Sequence, residues 1–286
     1  MKIAVIGANG QLGSQIVDKF SEKNQVFPLT HDRMEIVDRA RSEDILREIK
    51  PDVVINTAAF HNVPLCEKEP LRAFEVNALG ALNLAQLSET LRFKLVHYST
   101  DYVFDGQKTA PYTEDDKTNP LNIYAFTKRD GEDLIRNNSC NYYILRISGI
   151  YGRVPCRAKG GNFITTMKKA ARERDLVKVV DDEILTPTSV EAIAKNTELL
   201  IQQDTFGTYH MTCQGSCSWF GFARVIFEKL KLRTSLIPCK SLEFPSSVKR
   251  PMYSVLENKN LRAIALDKMP HWQDTLIEFL ENNEIE

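Results

Sequence analysis

The chain lacks a surplus of either charge: 37 Lys and Arg stand against 38 Asp and Glu, a formal net charge of −1 over 286 residues. That balance gives no basic surface for nucleic acid, and no run of like charges forms an interaction tail. No apolar run approaches the ~20 residues of a membrane-spanning helix, so no membrane partner is expected. The start, Met1-Lys2, leads into a short apolar run ending at Gly7, too short and wrongly flanked for a signal peptide. Cysteine is sparse: the six residues Cys66, Cys140, Cys156, Cys213, Cys217 and Cys239 are scattered, which fits reduced thiols and a cytoplasmic location. His210, Cys213 and Cys217 could ligate zinc, but a structural site needs four ligands and no partner cluster appears, so no metal is expected. The plainer reading there is a strand end, a turn at Gly215 and a new helix. No internal repeat or low-complexity linker interrupts the chain.

What is present is alternation. Lys2-Ile3-Ala4-Val5-Ile6 reads as a strand buried on both faces, and a helical pattern with Leu12, Ile16, Val17 and Phe20 on one side follows it. Between them lies Gly7-Ala8-Asn9-Gly10-Gln11-Leu12-Gly13. Glycines there let the backbone turn tightly and approach a pyrophosphate, and the helix N-terminus offers it unpaired N–H groups. Further strands are expected at residues 25–30, 53–56, 94–99 and 142–146, with helices between them, including one continuous helix whose apolar pattern runs from Leu71 to Leu91. The end of the second strand is where the adenosine ribose is read. An acid there suits NAD and a base suits NADP, yet His31, Asp32 and Arg33 stand together, so the choice stays open.

These patterns predict an α/β fold, a Rossmann-type doubly wound parallel sheet. Residues 1–150 form a dinucleotide-binding domain that later segments can rejoin. Residues 151–286 form mainly a smaller α/β substrate-binding lobe. Ligands on such sheets bind outside the carboxyl ends of the strands, where Gly7 to Gly13, Ala58 to His61 and Ser99 to Asp101 converge. Tyr124 and Lys128, four apart on a helix, share one face. An ammonium beside the phenol is expected to lower its pKa from roughly 10 and suit it to proton transfer at a carbonyl oxygen.

The chain resembles the extended short-chain dehydrogenases/reductases, and within them the dTDP-4-dehydrorhamnose reductase family, over almost its whole length. The resemblance is carried by the glycine loop, by Pro51 to Ala59, by Ser99-Thr100-Asp101-Tyr102-Val103-Phe104-Asp105-Gly106 and by Asn119 to Tyr124 with Lys128. Gly160-Gly161-Asn162-Phe163, Thr186-Pro187-Thr188, Gly207 to His210, Ser218-Trp219 and Arg250-Pro251 with Ser254 complete it. It implies reduction of the C4 ketone of a dTDP-linked 4-keto-6-deoxyhexose by NADPH or NADH, for surface polysaccharide, with a homodimer compatible. By resemblance, Tyr124 protonates the alkoxide, Lys128 tunes Tyr124, and Thr100 polarises the ketone. Gly7, Asn9, Gly10, Gln11, Leu12, His31, Arg33, Glu35, Ile36, Ala58, Ala59, Phe60, His61 and Tyr98, with Tyr124 and Lys128, are the implied cofactor contacts. Thr100, Asp101, Tyr124, Asn162 and Arg250 are the implied substrate contacts. Three positions depart from the family pattern: Gly149 replaces a tryptophan near the sugar nucleotide, Val63-Pro64 replaces Val-Asp, and Ala125 replaces glycine. The first is expected to leave a substrate wall missing. An epimerase or dehydratase on another nucleotide sugar, and a non-catalytic regulatory subunit of the same fold, are the competing readings.

Overall fold

The computed structural model describes residues 1–156, 160–244 and 248–283. β1 (Lys2–Ile6) is followed by α1 (Gln11–Ser21), β2 (Gln25–Leu29), α2 (Arg39–Ile49) and β3 (Val53–Asn56). Next come α3 (Val63–Lys68), α4 (Pro70–Phe74), a π-helical turn at Glu75–Leu79, α5 (Gly80–Leu91) and β4 (Lys94–Thr100). α6 (Ile123–Asn138), β5 (Tyr142–Ile147) and β6 (Ile150–Tyr151) lead to α7 (Phe163–Glu173), β7 (Leu176–Val180), β8 (Ile184–Leu185) and β9 (Thr188–Ser189). The chain continues through α8 (Val190–Leu200), β10 (Gly207–His210), β11 (Cys217–Ser218), α9 (Trp219–Lys229) and β12 (Ser235–Cys239), and ends with α10 (Lys259–Ala263) and α11 (Trp272–Asn282).

Six strands make one sheet in the order β10-β5-β4-β3-β1-β2, and every pairing is parallel. Successive strand residues point to opposite faces, and here each face has its own core. Ile3, Val5, Val53, Ile55, Val96, Tyr98 and Leu145 pack with α1, α8, α9 and α11 through Leu12, Ile16, Ile193, Phe222 and Leu276. Ala4, Ile6, Val54, Leu95 and Ile144 pack on the other side with α2, α5 and α6 through Leu46, Leu84, Leu87 and Ile135. Burial on both faces is why these strands read as unbroken apolar runs. The order reverses between β1 and β3, so a crevice opens beyond their carboxyl ends. β10 returns from the second half of the chain to complete the sheet beside β5. A smaller unit, the parallel pair β7–β12 covered by α7 and α9, has its own apolar cluster of Met167, Val177, Val179, Ala223 and Phe227. No helix among the described residues is long and apolar enough to cross a membrane.

The helix expected from Leu71 to Leu91 runs unbroken from Pro70, with one π-helical turn inside it. The π turn takes in an extra residue, which shifts the phase of the apolar stripe and leaves Leu71 79% exposed. The turn places the buried Asn77 side chain against the Phe60 backbone, accepting from its N–H at 2.8 Å and donating to its carbonyl at 2.9 Å.

Helix α6 is held on the sheet by Glu132, which has no exposed surface. Its carboxylate accepts from Arg146 Nη2 of β5 at 2.7 Å, Arg136 at 2.6 Å and Ser99 of β4 at 2.5 Å. Arg146 lies on an interior strand, and its ion pair with Glu132 is buried. Burial raises the Glu132 pKa, and the Arg146 guanidinium outweighs it, leaving the group at about 2. Glu132→Gln should therefore cost about 3–5 kcal/mol at neutral pH, because Arg146 is left buried without its partner. Because the folded pKa is depressed, this contribution is present above the unfolded value of 4.5 and lost as pH falls through about 2. Thermal melts of both proteins should differ by on the order of 10 °C at pH 7 and converge as pH falls toward about 2; a gap that stays constant with pH would rule out the ion pair as its source.

Candidate active site

The glycine loop is a close-packed turn. Gly7 has φ +75°, and a Cβ on Gly13 would lie 2.2 Å from the Gly7 carbonyl oxygen, so α1 can approach the loop only with glycine at both places. Gly10 caps α1 without a side-chain hydrogen bond, leaving the N–H groups of the first turn directed at the crevice. This cradle fits an anionic pyrophosphate: its backbone approaches closely and its helix end carries partial positive charge. Asn9 and Gly10 are partly exposed beside it. Gln11 donates to Ile150 O at 3.1 Å, while its buried Oε1 has no partner. Leu12 packs in the core, so only its backbone can serve a ligand.

At the end of β2, His31 and Arg33 are exposed, and His31 Nδ1 lies 2.7 Å from Glu35. Acid and base thus stand side by side, as their spacing suggested. Ile36 is 2% exposed and sits under Gly80, which gives its side chain to the core instead of the crevice. Beyond β3, Ala58, Ala59, Phe60 and His61 are partly buried and follow one another along the crevice. His61 Nδ1 lies 3.0 Å from Ala59 O, and its Nε2 lies 3.1 Å from Cys156 Sγ. Tyr98 turns its ring into the core, where its hydroxyl meets Thr197 at 2.8 Å. Only its carbonyl faces the site.

α6 starts where the Asn122 side chain accepts from Ala125 N at 2.9 Å. Tyr124 and Lys128 then fall one turn apart. Lys128 is 2% exposed, and its Nζ donates to Tyr98 O at 2.7 Å and lies 2.9 Å from His97 Nε2. Burial brings this amine down to about 8, with Glu132 opposing. The Tyr124 phenol is pushed up by burial, and a hydrogen bond with Thr100 opposes the rise. The expected lowering of the phenol by Lys128 is not what the structure has: the lysine points at the β4 backbone, and desolvation dominates. A phenol kept protonated is an acid, suited to giving a proton to an alkoxide.

Thr100 donates its hydroxyl proton to Asp101 Oδ1 at 3.0 Å and accepts from the Tyr102 N–H at 3.2 Å. Asp101 is buried and also accepts from Ser148 at 2.8 Å and Ser254 at 2.6 Å. Its carboxylate organises hydroxyls from three segments. Burial raises its pKa and the hydroxyls oppose the shift. Ser254 ends a loop that Asn122 Nδ2 also grips, donating to Lys249 O at 2.9 Å. Arg250, partly exposed on that loop, acts electrostatically on Tyr102 and Glu183, and the Tyr102 ring stacks edge-on with Tyr124 at 6.1 Å. Asn162 caps α7 and donates to Gly152 O at 2.9 Å, so its amide is held within the fold.

Sequence reasoning passed over Asn56, Asn77, His97 and Ser148. Asn56 and His97 carried a usable signal, since a polar residue inside a strand buried on both faces must have a partner. His210, by contrast, is a buried structural histidine bonded to the carbonyls of Tyr112 and Glu257, at the strand end expected there. Among the described residues, no group of three or more His, Cys, Asp or Glu could hold a metal ion.

A sequence model of the RmlD substrate binding domain matches residues 1–285. The chain is 36% identical to the spore coat polysaccharide biosynthesis protein SpsK of Bacillus subtilis, covering 98% of this chain and 97% of that one. It superposes with a TM-score of 0.94 on a dTDP-4-dehydrorhamnose reductase of Clostridium acetobutylicum, at 38% identity over 98% of this chain and 99% of that one. A Bacillus anthracis dTDP-4-dehydrorhamnose reductase in complex with NADP also gives 0.94, at 35% identity over 99% of both chains.

Gly149 leaves no hole. With φ +53°, its missing Cβ would meet Leu185 Cδ1 at 2.7 Å and Thr186 O at 3.1 Å, so the β8–β9 segment already fills that direction. The Cβ direction at Gly149 is thus taken up by Leu185. Gly149→Ala should cost about 1–3 kcal/mol through backbone strain and crowding, read as a lower melting temperature. A variant as stable as the parent would show that the β8–β9 segment yields freely.

Proposed function

The chain belongs to the RmlD substrate binding domain family, and from that premise we propose that it reduces the C4 ketone of dTDP-4-dehydro-L-rhamnose to dTDP-L-rhamnose with NADPH or NADH, for surface polysaccharide. The observation that carries this is the gathering of Thr100, Tyr124 and Lys128 at the carboxyl end of β4, with Lys128 bonded to the β4 backbone and the glycine cradle two strands away. Relatives bearing the reductase name span almost the whole chain.

In this reading, the loop from Gly7 through Gly10 and the first turn of α1 hold the pyrophosphate. His31, Arg33 and Glu35 meet the adenosine end. Ala58 to His61 lie along the cofactor. The nicotinamide supplies the hydride when bound. Tyr124 gives its phenolic proton to the oxygen of C4 as charge develops there. Burial disfavours the phenolate, so the phenol holds its proton until the substrate oxygen takes on charge. Thr100 turns its hydroxyl from Asp101 toward the ketone when substrate enters, and Asp101 positions it through the Ser148 and Ser254 hydroxyls. Arg250 is assigned to the diphosphate of the sugar nucleotide, because its planar fork matches phosphate oxygens. Residues 151–286 contribute mainly the substrate lobe, with α8 and β10 rejoining the cofactor domain. A cytoplasmic homodimer belongs to the same reading, supported by the exposed apolar side chains of Leu71, Phe74 and Phe126 on neighbouring helices.

The test is absorbance of the reduced nicotinamide with dTDP-4-dehydro-L-rhamnose and either NADPH or NADH. Rapid loss with one cofactor is expected and decides the ambiguity at His31 to Arg33. No loss with either, despite cofactor binding, would move the assignment to another sugar nucleotide or to a binding subunit. Tyr124→Phe should retain cofactor affinity and lose about 10²–10⁴-fold in kcat; unchanged turnover would refute the proton donor. Arg250→Ala should chiefly raise KM for the sugar nucleotide.

A further inference from the structure

Most of the cysteines sit where a thiol stays inert. Cys66, Cys213 and Cys239 are buried, and burial pushes the Cys217 thiol up to about 12. Cys140 is exposed. Cys156 differs from all of these. It is partly exposed on the segment after β6, and its Sγ lies 3.1 Å from His61 Nε2, at the end of the run that lines the crevice beyond β3. The two residues are 95 apart in the chain, so the fold makes the pair.

The roles of the ring nitrogens follow from a neighbour that admits one direction. His61 Nδ1 lies 3.0 Å from Ala59 O. A carbonyl oxygen only accepts, so Nδ1 carries the proton and Nε2 turns a lone pair to the thiol. The S–H of Cys156 then donates to Nε2. When the proton crosses, the imidazolium donates from both nitrogens, to Ala59 O and to the thiolate, so neither bond is lost. A nucleophile resting on a base that a third group orients is the arrangement that activates a thiol. Both sides of the pair are held. Asn77 grips the backbone of Phe60, next to His61. Opposite, Asn162 donates to Gly152 O and the Gly161 N–H donates to Cys156 O at 3.2 Å.

We propose that Cys156, with His61 as its base, is a nucleophilic thiol and a modification site for small disulfides, and that the adduct obstructs the cofactor crevice. The step is thiol–disulfide exchange. The Cys156 sulfur attacks one sulfur of the small disulfide, and a new S–S bond forms as the old one breaks. The other half leaves as a thiolate and takes the proton held by His61. The protein thiol is oxidised and the small disulfide is reduced. Ala58 to His61 follow one another along the crevice, so a group bonded to Cys156 stands beside that run. The thiol chemistry is independent of the reductase reading above; the obstruction rests on that reading's placing of the cofactor along Ala58 to His61.

The probe is dithiodipyridine, a small aromatic disulfide, with each modified cysteine identified by peptide mass spectrometry. An ordinary thiol is only a few per cent thiolate at neutral pH, so Cys156 should exchange about tenfold or more faster than exposed Cys140 of the same chain. A rate at or below that of Cys140 would overturn the proposal, and this reading needs no variant. His61→Ala should slow exchange at Cys156 by a similar factor and leave Cys140 alone; an unchanged rate at Cys156 would remove His61 as the base. The mixed disulfide should weaken NADPH binding, read by nucleotide fluorescence, and dithiothreitol should restore it. Cys156→Ser should bind NADPH equally before and after the reagent. Full affinity in the modified parent would overturn the obstruction. A chain that shows the expected exchange and loss of affinity but reduces no sugar nucleotide would instead refute the function assigned above.

Discussion

Everything at the catalytic end depends on one buried carboxylate. Glu132 joins α6 to β4 through Ser99 and to β5 through Arg146, so the helix cannot slide or roll without stranding a charge. One turn earlier on the same helix is Lys128, and one turn before that is Tyr124. Their aim at the carboxyl end of β4 is inherited from that anchor. The sheet itself is held by apolar packing on both faces, which is strong but tolerant of small shifts. The ion pair adds directionality.

A second gathering point is Asp101. Its three hydroxyl partners come from β4, from the segment after β5 and from the loop at residues 249–254. This is how a chain folded from distant pieces brings the loop at residues 249–254 up to the end of β4. The carboxylate is inside the structure and acts through the groups it orients.

Local chemistry made the nucleotide half legible. Four buried residues of β1 followed by closely spaced glycines can be read directly, because period and backbone freedom are properties of adjacent residues. The Tyr124–Lys128 spacing was equally plain. What was not legible depends on facing. His97 and Tyr98 are neighbours, yet alternation sends His97 toward α6 and Tyr98 toward α8. A cofactor role for the Tyr98 side chain therefore ended in the core, as did that of Ile36. β10 is only four residues long and pairs with a strand over sixty residues earlier, a partnership no short window reveals. Lys128 was expected to act on its helical neighbour, but a side chain at a buried helix–sheet seam answers first to unpaired groups of the sheet.

The π turn at Glu75–Leu79 carries a consequence for how this segment can vary in length. Each residue of an α-helix advances the chain by about 100° around the axis. Removing one residue from the turn would let ordinary helix form through it, but would rotate α4 by that angle relative to α5. Asn77 would swing off the Phe60 backbone, which it grips from both sides. The segment therefore behaves as a counted length, open to substitution but closed to single-residue insertion or deletion. The crevice beyond β3 keeps its width because a helix several residues away holds one residue too many.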